Sequence, residues 1–262
     1  MIKLGVIIAA DDIVRWVGGL MWPFVRISAT LLVAPVFGAR MVNVRARIGL
    51  GLLLALMIAP QVAQAPQIDP LSLAGIVVAM RQVLIGIAMG LILQMVFSAL
   101  TQSGEYIALS MGLGFASAID PVGGVQVPMV SQFLTILATL IFLALNGHLV
   151  LIELLLRSFA TLPVTADGLT SDDLWALIRF GSDMFAGAVL IALPAMASLL
   201  LVNLAMGVVT RAAPQLNIFA VGFPLTLLAG FVILILTLPG LSTRIGELLF
   251  SAFAVIRHIT RA

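Results

Sequence analysis

The chain has no cysteine, only two histidines and very few charged residues. Without cysteine it can form neither a disulfide bond nor a thiolate metal site. Only 9% of its 262 residues are charged, whereas soluble domains carry about 25%, and no polar stretch is long enough for a separate soluble domain. The basic residues are scattered and the net charge is only +2, so the sequence predicts no nucleic-acid partner.

Enzyme motifs are missing as well. The sequence contains no His-Glu-x-x-His, no P-loop and no Gly-x-Ser-x-Gly. His148 and Glu153 come nearest to a metal-binding pair, but residues five apart do not share a helix face. His148 follows Asn146 and Gly147, which is typical of a turn. We therefore predict a protein that is not an enzyme, with no catalytic residue, no cofactor and no bound metal.

Hydrophobic residues make up 62% of the chain. Runs of 18 or more apolar residues recur, and they predict an all-α membrane protein with several spanning helices in one bundle. Pro239 and Gly240 predict the end of the last run, followed by an amphipathic, mildly basic tail. The six runs are about Val14–Phe37, Ile48–Val62, Leu71–Leu100, Met129–Leu156, Leu174–Val209 and Ile218–Leu238.

The distribution of arginines conflicts with six simple spans. The cluster Arg40–Arg47 predicts that the first turn is cytoplasmic. Six crossings would then place the tail outside, yet the tail carries Arg244, Arg257 and Arg261. Either one run does not cross, or the helices do not lie in the bilayer in the ordinary way.

Several charges interrupt the apolar runs. Arg26 and Arg81 lie well inside two of them, and Arg179 and Asp183 are four residues apart, so they share a helix face and can pair. A charge at mid-bilayer costs about 2.5–3.5 kcal/mol on insertion scales. Two interpretations follow: a polar path for ions or substrate, or pairing between helices and subunits with protein, rather than lipid, around much of the chain.

Two local patterns predict helix contacts and helix ends. Gly86 and Gly90 are four residues apart, which favours close helix packing on one face. Thr170 followed by Asp173 predicts a helix N-cap with an acidic residue in the first turn.

A glycine-rich break, Gly104–Pro128, separates two of the most hydrophobic runs. A bilayer offers no hydrogen bonds to irregular backbone, which persists at membrane depth only when it is buried in protein or lines a watery cavity. The break therefore predicts a passage or a plug more than a simple anchor.

Four segments together resemble the flagellar FliR family and its virulence relatives in the type III secretion export gate. They are Phe24–Arg47, Gly104–Pro121, Ile141–Pro163 and Arg211–Pro224. The last is the most specific, because its Pro-Gln-Leu-Asn-Ile-Phe is not a general transmembrane pattern. The resemblance covers nearly the whole chain.

This resemblance implies a membrane-associated bundle of helical hairpins: a FliP-like part, residues 1–168, fused to a FliQ-like hairpin and amphipathic tail, residues 169–262. It implies several copies of FliP-like and FliQ-like partners, FlhB-like switch and FlhA-like export components, contact with membrane lipid, and unfolded flagellar proteins as transported substrates. The location would be the flagellar basal body at the bacterial inner membrane. Neighbouring subunits would contact or bury seven polar residues: Arg26, Arg81, Arg179, Asp183, Arg211, Gln215 and Asn217.

The resemblance also implies a pore plug in residues 105–121. The residues agree with it physically. Gly112 and Gly114 permit backbone bends, and Met111, Leu113 and Phe115 supply apolar bulk that can seal a pore by dewetting. Within this plug segment Glu105 and Asp120 flank Met111–Phe115. The alternative is a re-entrant loop packed only for structure.

The leading hypothesis is a structural and gating subunit of a flagellar protein-export channel. A self-contained secondary transporter of small solutes is the alternative, because broken helices and buried charges suit that class. It predicts internal repeats and a coupling-ion site, and the sequence shows neither. An intramembrane enzyme would need the catalytic cluster that is missing.

Overall fold

The computed structural model describes residues 10–39, 41–60, 68, 70, 72–113, 129–164, 168–213 and 218–262. All regular structure within these ranges is helical, as the sequence predicts. The helices, in chain order, are α1 Ala10–Val33, α2 Val44–Ile58, α3 Leu73–Ser110, α4 Met129–Ala144, α5 Gly147–Thr161, α6 Ser171–Ala212 and α7 Ile218–Thr260.

Fewer helices qualify as membrane spans than the six apolar runs suggest. In the described part of the chain three helices are long and apolar enough to cross a membrane: α3, α6 and the part of α7 from Val221. A fourth candidate is the pair α4 and α5, which are separated by a short break. The apolar part of α1, Gly18–Val33, is shorter than a span. The arginine distribution therefore need not be reconciled with six crossings.

The helix α3 extends beyond the predicted start of the glycine-rich break. It continues through Gly104 to Ser110, so the prediction that irregular backbone begins at Gly104 is wrong. The missing side chain of Gly104 serves packing instead. A Cβ atom there would lie 2.7 Å from the backbone nitrogen of Ser131, on α4, so the glycine allows two helix backbones to approach closely.

The helix α7 does not end at Pro239 and Gly240, and that prediction is also wrong. It continues unbroken over 43 residues with Pro224 and Pro239 inside it. The tail has an apolar face that keeps it helical: the buried residues recur every three or four positions, as an amphipathic helix requires. They are Leu241, Ile245, Leu249, Ala252, Phe253, Ile256 and Ile259.

The chain forms two compact units. The first combines the described parts of Met1–Gln94 with His148–Phe180 and Ala252–Ala262. The second combines the described parts of Met95–Gly147 with Gly181–Ser251. Both units contain residues from before and after residue 168, the domain boundary that the family resemblance implies.

Close packing of α1 on α3 organises the first unit and confirms the helix contact predicted from Gly86 and Gly90. A Cβ atom on Gly86 would lie 2.8 Å from Cβ of Ala29 and nearer still to the Arg26 carbonyl oxygen. A Cβ atom on Gly90 would lie 2.9 Å from the Thr30 carbonyl oxygen. Any larger residue at either position would force the two helices apart.

The predicted N-cap of α6 is confirmed in the same unit. The Asp173 backbone nitrogen donates to Oγ1 of Thr170 over 3.3 Å, and the Thr170 backbone nitrogen donates to Oδ2 of Asp173 over 2.8 Å. This reciprocal capping box satisfies two backbone donors that a helix start leaves unpaired. Asp173 also places a negative charge at the positive end of the helix dipole.

Candidate functional site: a buried arginine and the end of α3

Arg26 lies on α1 in the interior of the first unit and is fully buried. Its Nε atom donates to Oε1 of Gln82 over 2.8 Å. One terminal nitrogen donates to both the carbonyl and the hydroxyl oxygen of Ser158 over 3.0 Å, and the other donates to the Leu162 carbonyl over 2.9 Å. The guanidinium carbon lies 4.2 Å from the ring centroid of Phe159. Within the described residues, every one of these partners is neutral.

The arginine caps the end of α5. Ser158 is in the last turn of this helix and Leu162 follows its last residue, so their carbonyls belong to the negative end of the helix dipole. A cation there is favourable, and Lys or Arg often bonds the last carbonyls of a helix. Arg26 therefore ties α1 to α3 through Gln82 and to α5 through its C-terminus.

The end of α3 lies in the second unit and has the geometry of a Schellman cap. Gly112 adopts a left-handed conformation with φ of 84°. Its backbone nitrogen donates to the Leu109 carbonyl over 3.0 Å, and the Leu113 nitrogen donates to the Ala108 carbonyl over 3.0 Å. These are the two bonds of a Schellman motif, in which glycine is the usual residue at the left-handed position. Gly112 thus turns the chain sharply just before residues 114–128.

Met111 precedes that turn and is completely buried. It lies against α7, where Gly230 leaves room for its side chain: a Cβ atom on Gly230 would lie 2.6 Å from Cε and 2.9 Å from Sδ of Met111. The neighbouring Ser110 carbonyl accepts a hydrogen bond of 3.3 Å from the side-chain nitrogen of Asn203, on α6. Contacts from α6 and α7 therefore fix the end of α3.

The other residues of the predicted plug segment divide into two groups. Leu113 and Glu105 are partly exposed, and Glu105 Oε2 accepts from Nε2 of Gln102 over 3.4 Å. Gly114, Phe115 and Asp120 lie outside the described residues. The described part of the plug segment is consequently its helical entrance and its turn.

The other polar residues that the sequence predicts to be buried or in subunit contacts lie, where the structure describes them, neither beside Arg26 nor at the end of α3. Arg81 is partly exposed, and its aliphatic stem lies near Gly168, where a Cβ atom would be 3.5 Å from the arginine Cγ. Arg179 and Asp183 are both exposed on α6, and within the described residues no ion pair of the structure joins them. Arg211 is exposed in the last turn of α6. Gln215 and Asn217 lie outside the described residues.

The sequence does not predict which residues contact the Arg26 and Met111 side chains. Gln82, Ser158 and Phe159 are neutral, and Gly230 and Asn203 lie in ordinary apolar helix sequence. One signal was present: Gln82 is a large amide in an apolar run, next to Arg81, and such a residue requires a polar partner when it is buried. Nothing in the local sequence distinguishes Gly230, because its role depends on a distant methionine.

The three helices of the described residues that are long and apolar enough to cross a membrane put the chain in the class of helical membrane proteins. Residues 17–252 match the family described as bacterial export proteins, family 1. The chain therefore belongs to this family, which is one of export proteins and not of enzymes.

Several relatives are similar over nearly the full length. The flagellar biosynthetic protein FliR of Pectobacterium carotovorum is 46% identical over 241 residues, covering 92% of this chain and 91% of the relative. The protein of the same name in Escherichia coli K12 is 36% identical over 252 residues, 96% of each chain. That of Bacillus subtilis is 35% identical over 215 residues, 81% of this chain and 83% of the relative.

Proposed function

We propose that this chain is a structural and gating subunit of the bacterial flagellar type III protein-export gate. The observation that carries the proposal is similarity over most of the chain to flagellar biosynthetic proteins, one of which is 46% identical over 92% of this chain. The location would be the basal body at the inner membrane. The partners would be FliP-like and FliQ-like subunits with FlhB-like and FlhA-like components, and the transported substrates would be unfolded flagellar proteins.

The exposed apolar surface supports assembly with other subunits. Large hydrophobic side chains are exposed along α6 and α7, among them Leu200, Leu201 and Leu236, each at least 66% accessible. Arg179 and Asp183 are exposed on α6 as well. Because a charge facing hydrocarbon costs about 2.5–3.5 kcal/mol, protein neighbours carrying polar groups suit this helix better than lipid does. In this proposal residues 1–168 act as the FliP-like part and 169–262 as the FliQ-like hairpin.

Purification tests the assembly. We expect the full-length chain, expressed with the other membrane components of a flagellar export apparatus, to purify in a large stable complex with two smaller hydrophobic subunits. A monomer that transports a small solute in liposomes would establish the secondary-transporter alternative and overturn the proposal.

Within the plug segment, Met111–Phe115 are proposed to seal the closed channel. Two features support this role: Met111 is an apolar side chain held in a fitted position against Gly230, and Gly112 turns the chain immediately after it. A seal needs apolar bulk, and a seal that opens needs a hinge beside it. Glu105 and Asp120 would flank the seal on either side in sequence.

A deletion of residues 111–116 tests the seal, with ion leak and motility as the two measurements. We expect increased ion leak through the assembled gate and altered motility. Met80→Ala is the matched control, because Met80 is exposed on the same helix α3 and should change neither. If the deletion leaves both leak and motility unchanged in a correctly assembled complex, Met111–Phe115 is not a plug.

A further inference from the structure

Among the residues that the structure describes, two buried donors of α1 and α3 find no hydrogen-bond partner: Nε1 of Trp22 and Nε2 of Gln82. Trp22 is 0% and Gln82 is 1% exposed, so bulk water does not reach them. The orientation of the Gln82 amide is fixed, because its oxygen accepts from Nε of Arg26, which leaves the nitrogen as the unpaired atom. Since the great majority of buried polar side-chain atoms are bonded, each such orphan indicates a missing partner.

The register of α1 on α3 places these donors at one level of the first unit. Gly86 contacts α1 at Arg26 and Ala29, and Gly90 contacts it at Thr30 and Val33. Four residues along α3 therefore correspond to four along α1, and the two helices run in the same direction. One turn earlier, Gln82 faces the stretch that includes Trp22 and Arg26, which share a face of α1 because they are four residues apart.

This level of the interior also carries a positive charge that no carboxylate of the described residues pairs with, since only Gln82, the α5 dipole and the Phe159 ring face the Arg26 guanidinium. A guanidinium has five N–H donors, and Arg26 uses four of them on neutral acceptors from the described residues. A buried charge is costly unless it is paired. The fifth donor of Arg26, the indole N–H of Trp22 and the free amide hydrogens of Gln82 are thus donors at one level of α1 and α3, and Arg26 gives this level a positive charge.

We propose that Trp22, Gln82 and Arg26 bind a small monovalent anion, of the size and chemistry of chloride, between α1 and α3. An anion accepts hydrogen bonds from every side and neutralises the guanidinium. A water molecule would instead bring two donors of its own into a place whose side chains are donors. The proposed anion lies in the interior of the first unit, and its binding does not depend on the export function.

Fluorescence of Trp22 tests the site directly. The chain has three tryptophans, so the double variant Trp16→Phe, Trp175→Phe of the full-length protein leaves Trp22 as the only emitter. Bromide, which quenches indole by the heavy-atom effect, is titrated at constant ionic strength against gluconate. We expect quenching that saturates with concentration, and prior addition of chloride should shift the bromide midpoint to higher concentration.

Gln82→Glu supplies the negative charge within the protein, because its carboxylate can accept from Nε of Arg26 and compensate the guanidinium. In this variant, on the Trp22-only background, the saturable bromide response should disappear while the helical circular dichroism is retained. Gln94→Leu is the matched control: Gln94 is exposed on the same helix α3, and its loss should leave the bromide midpoint unchanged.

Two results would overturn the anion site. One is quenching that rises only linearly with bromide, as for collisions in solution, which would leave a buried water as the occupant. The other is a saturable response that persists in Gln82→Glu with the same midpoint. Thermal unfolding provides a second measurement, because an anion that binds only the folded chain must raise Tm as chloride replaces gluconate, and this rise must be absent in Gln82→Glu.

Discussion

Arg26 in the first unit and Met111 in the second are both completely buried, but they are held by opposite means. Arg26 is fixed by four directional hydrogen bonds of 2.8–3.0 Å and by an aromatic ring. Met111 is held by shape, in the space left by Gly230. A thioether with several rotatable bonds adapts to a new surface, whereas a bonded guanidinium has one arrangement.

These two modes of burial distinguish a side chain suited to stability from one suited to motion. Breaking the hydrogen bonds of Arg26 leaves polar atoms in the interior without partners. Any alternative conformation of that region is therefore much higher in free energy. Moving the Met111 side chain away from Gly230 loses dispersion contacts but leaves no hydrogen-bonding group without a partner. We therefore expect substitutions near Arg26 to act mainly on folding, and substitutions near Met111 to act mainly on channel closure.

The largest effect is expected for Arg26→Met. Methionine fills much of the same space but leaves Oε1 of Gln82 and the Leu162 carbonyl without a donor, and each buried unsatisfied group costs about 1–3 kcal/mol, for a total of about 2–6 kcal/mol. Thermal unfolding of the purified chain, followed by circular dichroism, measures the loss. Arg45→Met is the control, because Arg45 is exposed at the start of α2; equal Tm values for the two variants would refute the structural role of Arg26.

The second-largest effect is expected for Gly86→Ala, whose change in unfolding free energy should be opposite in sign to that of Gly49→Ala. A protein with alanine inside a helix is normally more stable than one with glycine there by roughly 0.5–1 kcal/mol. Gly49→Ala should show this gain in unfolding free energy, because nothing lies within 4 Å of an added Cβ. Gly86→Ala should instead destabilise by about 1–3 kcal/mol, the usual range for overpacking, since its Cβ would meet the Arg26 carbonyl oxygen. Denaturant unfolding of both variants is the measurement, and a gain for Gly86→Ala would show that α1 and α3 are not in close contact.

Local sequence predicted the parts of this fold that depend on neighbouring residues. The capping box of Thr170 and Asp173 and the packing role of Gly86 are confirmed, because a cap and a close helix approach each require a particular residue type at a fixed spacing. The helical class followed from the apolar runs for the same reason.

Local sequence failed where packing against distant residues decided the outcome. Gly104 and Pro239 are helix breakers by propensity, yet both lie inside long helices. Contact with Ser131 uses the small size of Gly104, and the buried face beyond Pro239 keeps α7 helical. Propensity is a weak prior that tertiary contacts override. The acceptors of Arg26 and the glycine opposite Met111 were unpredictable for this reason as well.

The third-largest effect is expected for Gly230→Ala, which tests closure of the channel and therefore depends on the proposed gate. Gly230→Ala places a methyl group against Met111, a flexible side chain that can move away, so unfolding should change by only about 1 kcal/mol, at the low end of the overpacking range. Ion leak through the assembled complex should nevertheless rise. Met111→Ala in the same chain removes the clash, so the two substitutions should be non-additive in the unfolding free energy.

The control for this variant is Gly240→Ala, on the same helix α7, where an added Cβ meets nothing within 4 Å. Its leak should match the unsubstituted protein. Increased leak in both variants would attribute the effect to α7 in general. Non-additive unfolding without any leak would retain the contact between Met111 and Gly230 and reject the gating role.

The smallest effect is expected for Glu153→Gln. Glu153 and Arg157 form an ion pair on α5 with 2.6 Å between Oε1 and a terminal nitrogen, shorter than each hydrogen bond of Arg26. Both side chains are more than half exposed, so water and salt compete with the pair, and an i,i+4 pair of this kind contributes about 0.3–0.5 kcal/mol. The loss should be measurable at low ionic strength and vanish in 1 M salt, where the Debye length is about 3 Å. A loss as large as that of Arg26→Met would mean that distance, and not burial, sets the strength of these contacts.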